Sequence, residues 1–231
     1  MGIVTQAERY SGIAVIIPAF NAEGTLSALL DRVTTIVPSS SVFVVNDGST
    51  DGTAAIATKF RTVLLNHKTN RGKGAALVSG FNAVRADPKV EFAITMDADL
   101  QHRPEDIHML VQGKTDYDAD IVVGMRKRIG SGMPFHRMLS NSITSTLVSI
   151  RTGRIIRDSQ CGFRLVARKA FSEIELESDG FEAETEFLIK AARKGLKIAF
   201  VPVQTIYDGQ GSHMRHWETT RNFVKVLFRD Y

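Results

Sequence analysis

The sequence predicts an α/β fold: a mostly parallel central sheet flanked by helices on both faces. Three observations carry that reading. Short apolar runs at residues 13–17, 42–45, 63–65, 92–96, 121–123, 165–166 and 198–201 have strand length and little polar alternation, as in strands buried on both faces. Segments with apolar residues at helical spacing lie between most of them, which implies right-handed crossovers. The third is positional. Pro18, Asp47, Asp97, Asp99 and Arg126 all fall at the carboxyl ends of predicted strands, where open α/β sheets bind their ligands.

The chain has 231 residues, 43% hydrophobic and 23% charged, which describes one soluble globular domain with a substantial core. Cys161 is the single cysteine. It excludes a disulfide framework or a multi-cysteine metal site and fits a reducing, cytoplasmic setting. No signal peptide or membrane span is expected, because no apolar run approaches the roughly 18 residues a span requires. A net charge of +4 and a pI of about 9.3 suit phosphorylated small molecules or an anionic lipid surface. Nucleic acid is not an expected partner, since no binding motif or aromatic-interleaved basic stripe is present.

Taken in order, residues 1–12 read as a polar lead-in to the first strand. Leu26, Leu29, Leu30, Val33, Ile36 and Val37 then mark a helix, with Thr25 as its expected N-cap and Pro38 at its end. The turn-rich residues 46–53 follow the second strand and feed a short helix bearing Ile56 and Phe60. After the third strand, Asn70-Arg71-Gly72-Lys73-Gly74 opens a helix with Leu77, Gly80, Phe81 and Val84 on one face. The fourth strand runs into Asp97-Ala98-Asp99-Leu100-Gln101-His102-Arg103. A helix then starts at Pro104, where Glu105 and Asp106 favour the positive end of its dipole.

From about residue 125 the rhythm changes. Arg126, Lys127 and Arg128 open a basic loop, and a helix of low charge follows through Met138, Leu139, Ile143, Leu147 and Val148. That helix is either an acceptor groove or core. Arg157-Asp158-Ser159-Gln160-Cys161-Gly162-Phe163-Arg164 leads into a short strand, and a helix with Phe187, Leu188, Ala191 and Ala192 ends at Gly195. Residues 214–231 form a basic amphipathic helix that either packs on its own domain or lies on an anionic membrane surface.

The Asp97-Ala98-Asp99 turn carries the chemistry. Neighbouring carboxylates repel, and both stay ionised most readily with a cation between them. Hard oxygen donors suit Mg²⁺ or Mn²⁺, ions that commonly share their coordination with phosphates. The tripeptide alone is also a frequent surface turn; its place between a buried strand and a helix start favours the ligand reading. His102 reads as an exposed loop histidine. Lys73 sits in a Gly-Lys-Gly without Walker spacing, so that helix start is either a phosphate site or a plain turn. Glu182, Glu184 and Glu186 are either a source of a general base or the solvated start of a helix. Cys161 reads as a packing residue.

With Ile17-Pro18-Ala19-Phe20-Asn21, Val45-Asn46-Asp47-Gly48-Ser49-Thr50-Asp51, Asn70-Arg71-Gly72-Lys73-Gly74, Asp97-Ala98-Asp99-Leu100-Gln101, Gly124-Met125-Arg126 and Cys161-Gly162-Phe163-Arg164 in order, the chain resembles the family-2 nucleotide-sugar glycosyltransferases. Among them it looks most similar to the polyprenyl-phosphate (dolichyl-phosphate) mannosyl- and glucosyltransferases. The resemblance implies a glycosyltransferase A-type, Rossmann-like fold over a single domain, 1–231. Residues 10–125 would bind the nucleotide sugar and 126–231 the acceptor. It implies a Mg²⁺ or Mn²⁺ cofactor on Asp97, Asp99 and Gln101. The nucleotide sugar would meet Pro18, Ala19, Phe20, Glu23, Asp47, Lys73, Asp97, Ala98, Arg126 and Arg137. Asp99, Arg126 and Arg164 would carry the chemistry; apart from the resemblance, bringing two anions together needs cations, for which Arg126, Arg137, Arg164 and Arg215 are candidates. Two departures stand out: Glu23 is one place later than the acidic residue of many relatives, and His213 replaces a frequent lysine.

Expelling a nucleoside diphosphate develops charge that a cation and arginines can neutralise. A phosphate monoester acceptor is already ionised near neutral pH and needs little help from a base. The reaction that the resemblance implies, and with which this chemistry agrees, is inverting transfer of a hexosyl group from GDP-mannose or a UDP-sugar to polyprenyl phosphate. It would take place in the cytoplasm, or peripherally at the cytoplasmic face of a membrane. The same donor chemistry onto a hydroxyl is the nearest alternative. A sugar-1-phosphate nucleotidyltransferase would show a glycine-rich basic loop after the first strand, which Pro18-Ala19-Phe20-Asn21 lacks. A non-catalytic nucleotide-sugar-binding partner of a membrane protein is the alternative from another class.

Overall fold

The computed structural model describes residues 10–126, 135–206 and 216–231, without the side chains of residues 135–137 and 216–219. Strands β1 (Ile13–Ala19), β2 (Val42–Asn46), β3 (Val63–Asn66), β4 (Phe92–Thr95), β5 (Ile121–Arg126), β6 (Arg164–Ala167) and β7 (Ile198–Val203) form one sheet, ordered β3-β2-β1-β4-β6-β5-β7. Helices α1 (Glu23–Val33), α2 (Thr53–Lys59), α3 (Lys73–Ala86) and α4 (Ile107–Tyr117) lie on the crossovers of the first five strands. The second half adds α5 (Phe135–Thr152), α6 (Arg168–Glu173), α7 (Ala183–Arg193) and α8 (His216–Phe228).

β1 is the spine of the sheet. Ile13 to Ile17 are all buried, and the strand pairs in parallel with β2 on one side and β4 on the other. A strand covered on both faces must be apolar throughout, which is why its sequence shows no alternation. Each large aliphatic side chain enclosed there contributes about 1.5–3 kcal/mol by leaving water. The helix-start signals need one correction. Thr25 does not cap α1: its hydroxyl donates to the Ala22 carbonyl, while the amides of Ala22 and Glu23 donate to Thr53 Oγ1 and Asp51 Oδ2 across the neighbouring loop. Pro104 behaves as expected, opening a 3₁₀ turn (Pro104–Asp106) that leads into α4.

One strand breaks the parallel pattern. β6 inserts between β4 and β5 and is antiparallel to both, with Arg164 opposite Thr95 and Val123. It therefore begins at the carboxyl ends of its neighbours, and the residues just before it lie over that edge. Thr95 Oγ1 donates to the Gly162 carbonyl at 2.7 Å, and the Gly124 amide to the Phe163 carbonyl at 2.9 Å. The tail packs on its own domain through Phe223, Val226 and Leu227, and Arg151 donates to the Leu227 carbonyl at 3.0 Å.

Packing of α3 on β1 depends on Gly80, where an added Cβ would collide with Ile16 Cγ2. Gly80→Ala should therefore cost about 1–3 kcal/mol through overpacking, read as a lower urea midpoint at unchanged m-value. An unchanged midpoint contradicts this packing.

Candidate active site

The site is assembled where the strands of both halves end. After β1, the chain turns at Asn21, which has a positive φ of 49°. Its amide donates to Ser49 Oγ and its side-chain oxygen accepts from the Thr50 amide, both at 2.9 Å. Glu23 Oε2 accepts from the Gly52 amide at 3.0 Å. These bonds lock the loop after β1 to the loop after β2. Ala19 is buried and Pro18 half-buried, and Phe20 next to them is 49% exposed, so its ring face is open to a ligand.

Asp47 is a buried hub. Its Oδ1 accepts from the Arg71 amide at 3.0 Å and meets His67 Nδ1 at 2.6 Å; its Oδ2 accepts from the Gly72 amide at 2.8 Å. Three partners from two segments of the chain thus converge on this one carboxylate. This hub fixes residues 70–72, and hence the start of α3. The first amides of that helix are already engaged: Gly74 and Ala75 both donate to the Asp179 carbonyl, at 2.6 and 3.3 Å. Of the two readings for this helix start, an amide cradle for phosphate is thereby excluded at Gly74 and Ala75. What the turn provides is the side chain of Lys73.

Lys73 Nζ lies 2.5 Å from Asp97 Oδ1 and 2.7 Å from Glu184 Oε1, with 12% of its side chain exposed. Burial disfavours every charge here, yet the mutual attraction prevails. Lys73 is held protonated by Asp97 and Glu184, and Asp97 is held below the usual carboxylate range chiefly by Lys73. Asp99 lies outside this pairing. It keeps an open side to solvent, but the surrounding protein and then the Asp97 charge push its pKa up to about 6. Its Oδ1 accepts from the Gln101 amide at 3.0 Å. Gly162 closes the site from the β6 side, where a Cβ would come within 2.8 Å of Asp97 Oδ2 and 2.7 Å of Glu184 Oε1.

The basic side of the site is organised by Asp158. Arg126 Nε and Nη2 donate to its two oxygens at 2.9 Å each. Asp158 is buried, and the guanidinium, outweighing that burial, holds it below the usual carboxylate range. Arg164, expected to face substrate, is instead buried. Its guanidinium donates to the carbonyls of Cys161, Glu184 and Ser159 at 2.7, 2.8 and 3.1 Å. It ties the start of β6 to α7 and acts on the site through that frame. The side chain of Arg137, together with His213 and Arg215, lies outside the described residues.

Residues 14–175 match the profile of Glycosyl transferase family 2. The chain belongs to that family. It is 30% identical over 202 residues to the polyprenol monophosphomannose synthase of Mycolicibacterium smegmatis, covering 82% of this chain and 75% of that protein. Identity is also 30% over 202 residues with the undecaprenyl-phosphate mannosyltransferase of Micrococcus luteus, covering 83% of this chain and 82% of the other. Among solved structures, glucosyl-3-phosphoglycerate synthase from Mycobacterium tuberculosis in complex with Mn²⁺, UDP and glucosyl-3-phosphoglycerate superposes with a TM-score of 0.77 at 20% identity. That alignment covers 96% of this chain and 82% of the other. The likeness is one of fold, and the fold is glycosyltransferase A-type.

In this glycosyltransferase the oxygen set of Asp97, Asp99 and Gln101 fits a hard divalent ion. Asp99 has an unbalanced carboxylate, its pKa raised by enclosure and by Asp97, and a cation would relieve it. Among the described residues no cluster of three or more His, Cys, Asp or Glu could hold a metal by itself. The remaining ligands would have to come from Gln101, water or a phosphate.

Besides that of Arg164, two sequence readings are overturned. His102 is no exposed loop residue: it is buried, its ring stacks on Phe163 with centroids 5.4 Å apart, and burial pushes its pKa down to about 4. The glutamates of α7 are not its solvated start either, because Glu184 and Glu186 are both buried. Glu186 accepts from the amides of Glu177 and Ser178 at 2.9 and 2.8 Å and pairs with Lys190 at 2.7 Å. Asp158 went unassigned, although the sequence held a signal. It is the lone acidic residue between Asp120 and Glu173, in a stretch rich in arginine.

A raised Asp99 pKa means that the folded state tolerates the neutral carboxyl and penalises the charged one. The penalty is absent below about pH 4 and complete above about pH 6. Without divalent ions, Asp99→Asn should therefore raise the thermal midpoint relative to wild type above about pH 6, the gap closing toward pH 4. A gap of constant size across that range contradicts the assigned environment.

Proposed function

We propose that this glycosyltransferase transfers a hexosyl group from a nucleotide sugar to polyprenyl phosphate, with inversion and with Mg²⁺ or Mn²⁺ bound at Asp97, Asp99 and Gln101. The observation that carries the choice of acceptor is the pairing of Glu184 with Lys73. A hydroxyl acceptor loses a proton in the transition state, and with Asp99 committed to the metal, Glu184, Glu186 and Asp158 are the carboxylates of this region that would take it. Glu184 Oε1 is occupied by an ammonium at 2.7 Å, Glu186 is engaged with amides and Lys190, and Asp158 is engaged with Arg126. A phosphate monoester arrives ionised and needs cations instead. The names of the two lipid-phosphate mannosyltransferase relatives support the same acceptor class.

In this reading Phe20 and Pro18 lie against the nucleoside, and Asp47 and Glu23 keep the surrounding loops in register. The bound divalent ion would offset the charge that develops on the departing diphosphate. Arg126, aimed by Asp158, would draw the phosphates of donor and acceptor together, with Arg137 as a second cation. Lys73 would keep Asp97 ionised. Displacement by an anion on the face opposite the leaving group inverts the anomeric centre.

The surface also suits an acceptor carried by a membrane. Leu139, Ile143, Leu147 and Ile150 recur along one side of α5, and all four are exposed. α8 presents Val224 and Phe228 together with Arg221 and Lys225, and Arg229 follows directly after it. Apolar residues interleaved with cations bind an anionic interface by lying in its plane. No described helix is long and apolar enough to cross a membrane.

Incubation with Mg²⁺ or Mn²⁺, a panel of GDP- and UDP-sugars, and either polyprenyl phosphate or the free polyprenol tests the acceptor by nucleoside diphosphate release. Turnover is expected with the phosphate alone, and Glu184→Gln should lower it less than about tenfold, against the 10²–10⁴ of a lost general base. Equal use of the alcohol, or a loss in the larger range, refutes the phosphate acceptor. For the surface, Ile143→Asn with Leu147→Asn should release the protein from anionic vesicles in flotation while sparing turnover of a short-chain, water-soluble polyprenyl phosphate. Unchanged flotation removes α5 from the membrane contact.

A further inference from the structure

The end of β3 carries a buried histidine with no part in the scheme above. His67 Nδ1 stands 2.6 Å from Asp47 Oδ1, and Nε2 stands 2.8 Å from Ser79 Oγ on α3. Only 8% of the His67 side chain and 4% of that of Asp47 are exposed. One tautomer satisfies both ring nitrogens: the Ser79 hydroxyl donates to Nε2, and Nδ1–H donates to Asp47. The order serine, histidine, carboxylate is also that of a nucleophilic triad. Here Ser79 lies within a helix, whose amides are bonded to their own carbonyls and cannot stabilise an oxyanion. The three residues form a strut.

What the strut supports is specific. Asp47 is the residue on which the Arg71 and Gly72 amides hang, and the next residue is Lys73, whose ammonium reaches Asp97 and Glu184. Gly48, immediately after Asp47, packs so closely on Thr69 and Asn70 that no side chain would fit there. Residues 69–72 are therefore pressed against the loop after β2 and held by a single carboxylate. That carboxylate's orientation is set from behind by one imidazole N–H.

We propose that His67 is a positioning residue for the donor site: through Nδ1–H it orients Asp47, Asp47 holds residues 71–72, and these aim Lys73 at Asp97. The proposal rests on the nucleotide-sugar reading of this end of the sheet, but its first test does not. In the full-length protein, His67→Asn keeps an N–H near the place of Nδ1 and loses the Ser79 contact. His67→Gln reaches toward Ser79 and gives up the bond to Asp47.

Hydrogen exchange of the segment containing the Arg71 and Gly72 amides should stay near wild type in His67→Asn and run about tenfold faster in His67→Gln. Calorimetric titration with UDP and with GDP in Mg²⁺ should show binding within about twofold of wild type for the asparagine variant and about tenfold weaker for the glutamine variant. The glutamine variant should raise the donor KM with kcat within about twofold, while both variants lose similar thermal stability. Parallel behaviour of the two variants in exchange, or wild-type exchange in His67→Gln, overturns the proposal. Wild-type protein that binds neither UDP nor GDP refutes the donor-site reading, and exchange still decides whether His67 holds the loop.

Discussion

One ammonium between two carboxylates holds this site together. Lys73 Nζ contacts Asp97 and Glu184 inside the protein, and each of the three belongs to a different part of the chain. An enclosed charge without a partner costs several kcal/mol, and displacing Lys73 would take this cation from both acids at once. That requirement explains the surrounding geometry: glycine at 162 where a side chain would strike both acids, α3 seated against the Asp179 carbonyl, and Arg164 tying β6 to the carbonyl of Glu184. It also leaves Asp99 outside that close pairing, next to an already charged neighbour. The fold thus presents one balanced acid and one unbalanced acid at the same strand end.

The antiparallel β6 makes this possible. A parallel strand between β4 and β5 would start at the far edge of the sheet. Running the other way, β6 starts at the carboxyl ends, and the preceding residues bring Asp158, Cys161 and Gly162 over the site. Strands from both halves of the sequence therefore share one sheet and one site. Arg126 comes from the end of β5 and its partner Asp158 from the approach to β6, 32 residues later.

Much of this was legible in the residues. Apolar runs located the seven strands to within a few positions, because strands buried on both faces cannot alternate. The Asp97-Ala98-Asp99 turn announced itself between such a run and a proline-started helix. Pairings between distant segments were not legible. Nothing local distinguishes a Glu184 that will meet Lys73 from one at a wet helix start, and α7 turned out to be enclosed. His102 looked exposed because its neighbours are polar; the bridge to Thr205 and the stack on Phe163 bury it. Arg164 was assigned to substrate by its motif, yet the reversed strand turned its guanidinium to backbone carbonyls. In each case a tertiary contact, absent from local spacing, decided between two chemically reasonable roles.

Metal-assisted departure of a nucleoside diphosphate from the Asp97–Asp99 turn is the claim on which the functional account stands. Anomalous diffraction from crystals grown with Mn²⁺ and a nucleoside diphosphate tests it most directly. The account predicts one strong manganese peak within coordination distance of Asp97 or Asp99 oxygens and of a phosphate oxygen, with the base beside Phe20. A peak elsewhere, or a nucleotide bound with no manganese at this turn, contradicts it.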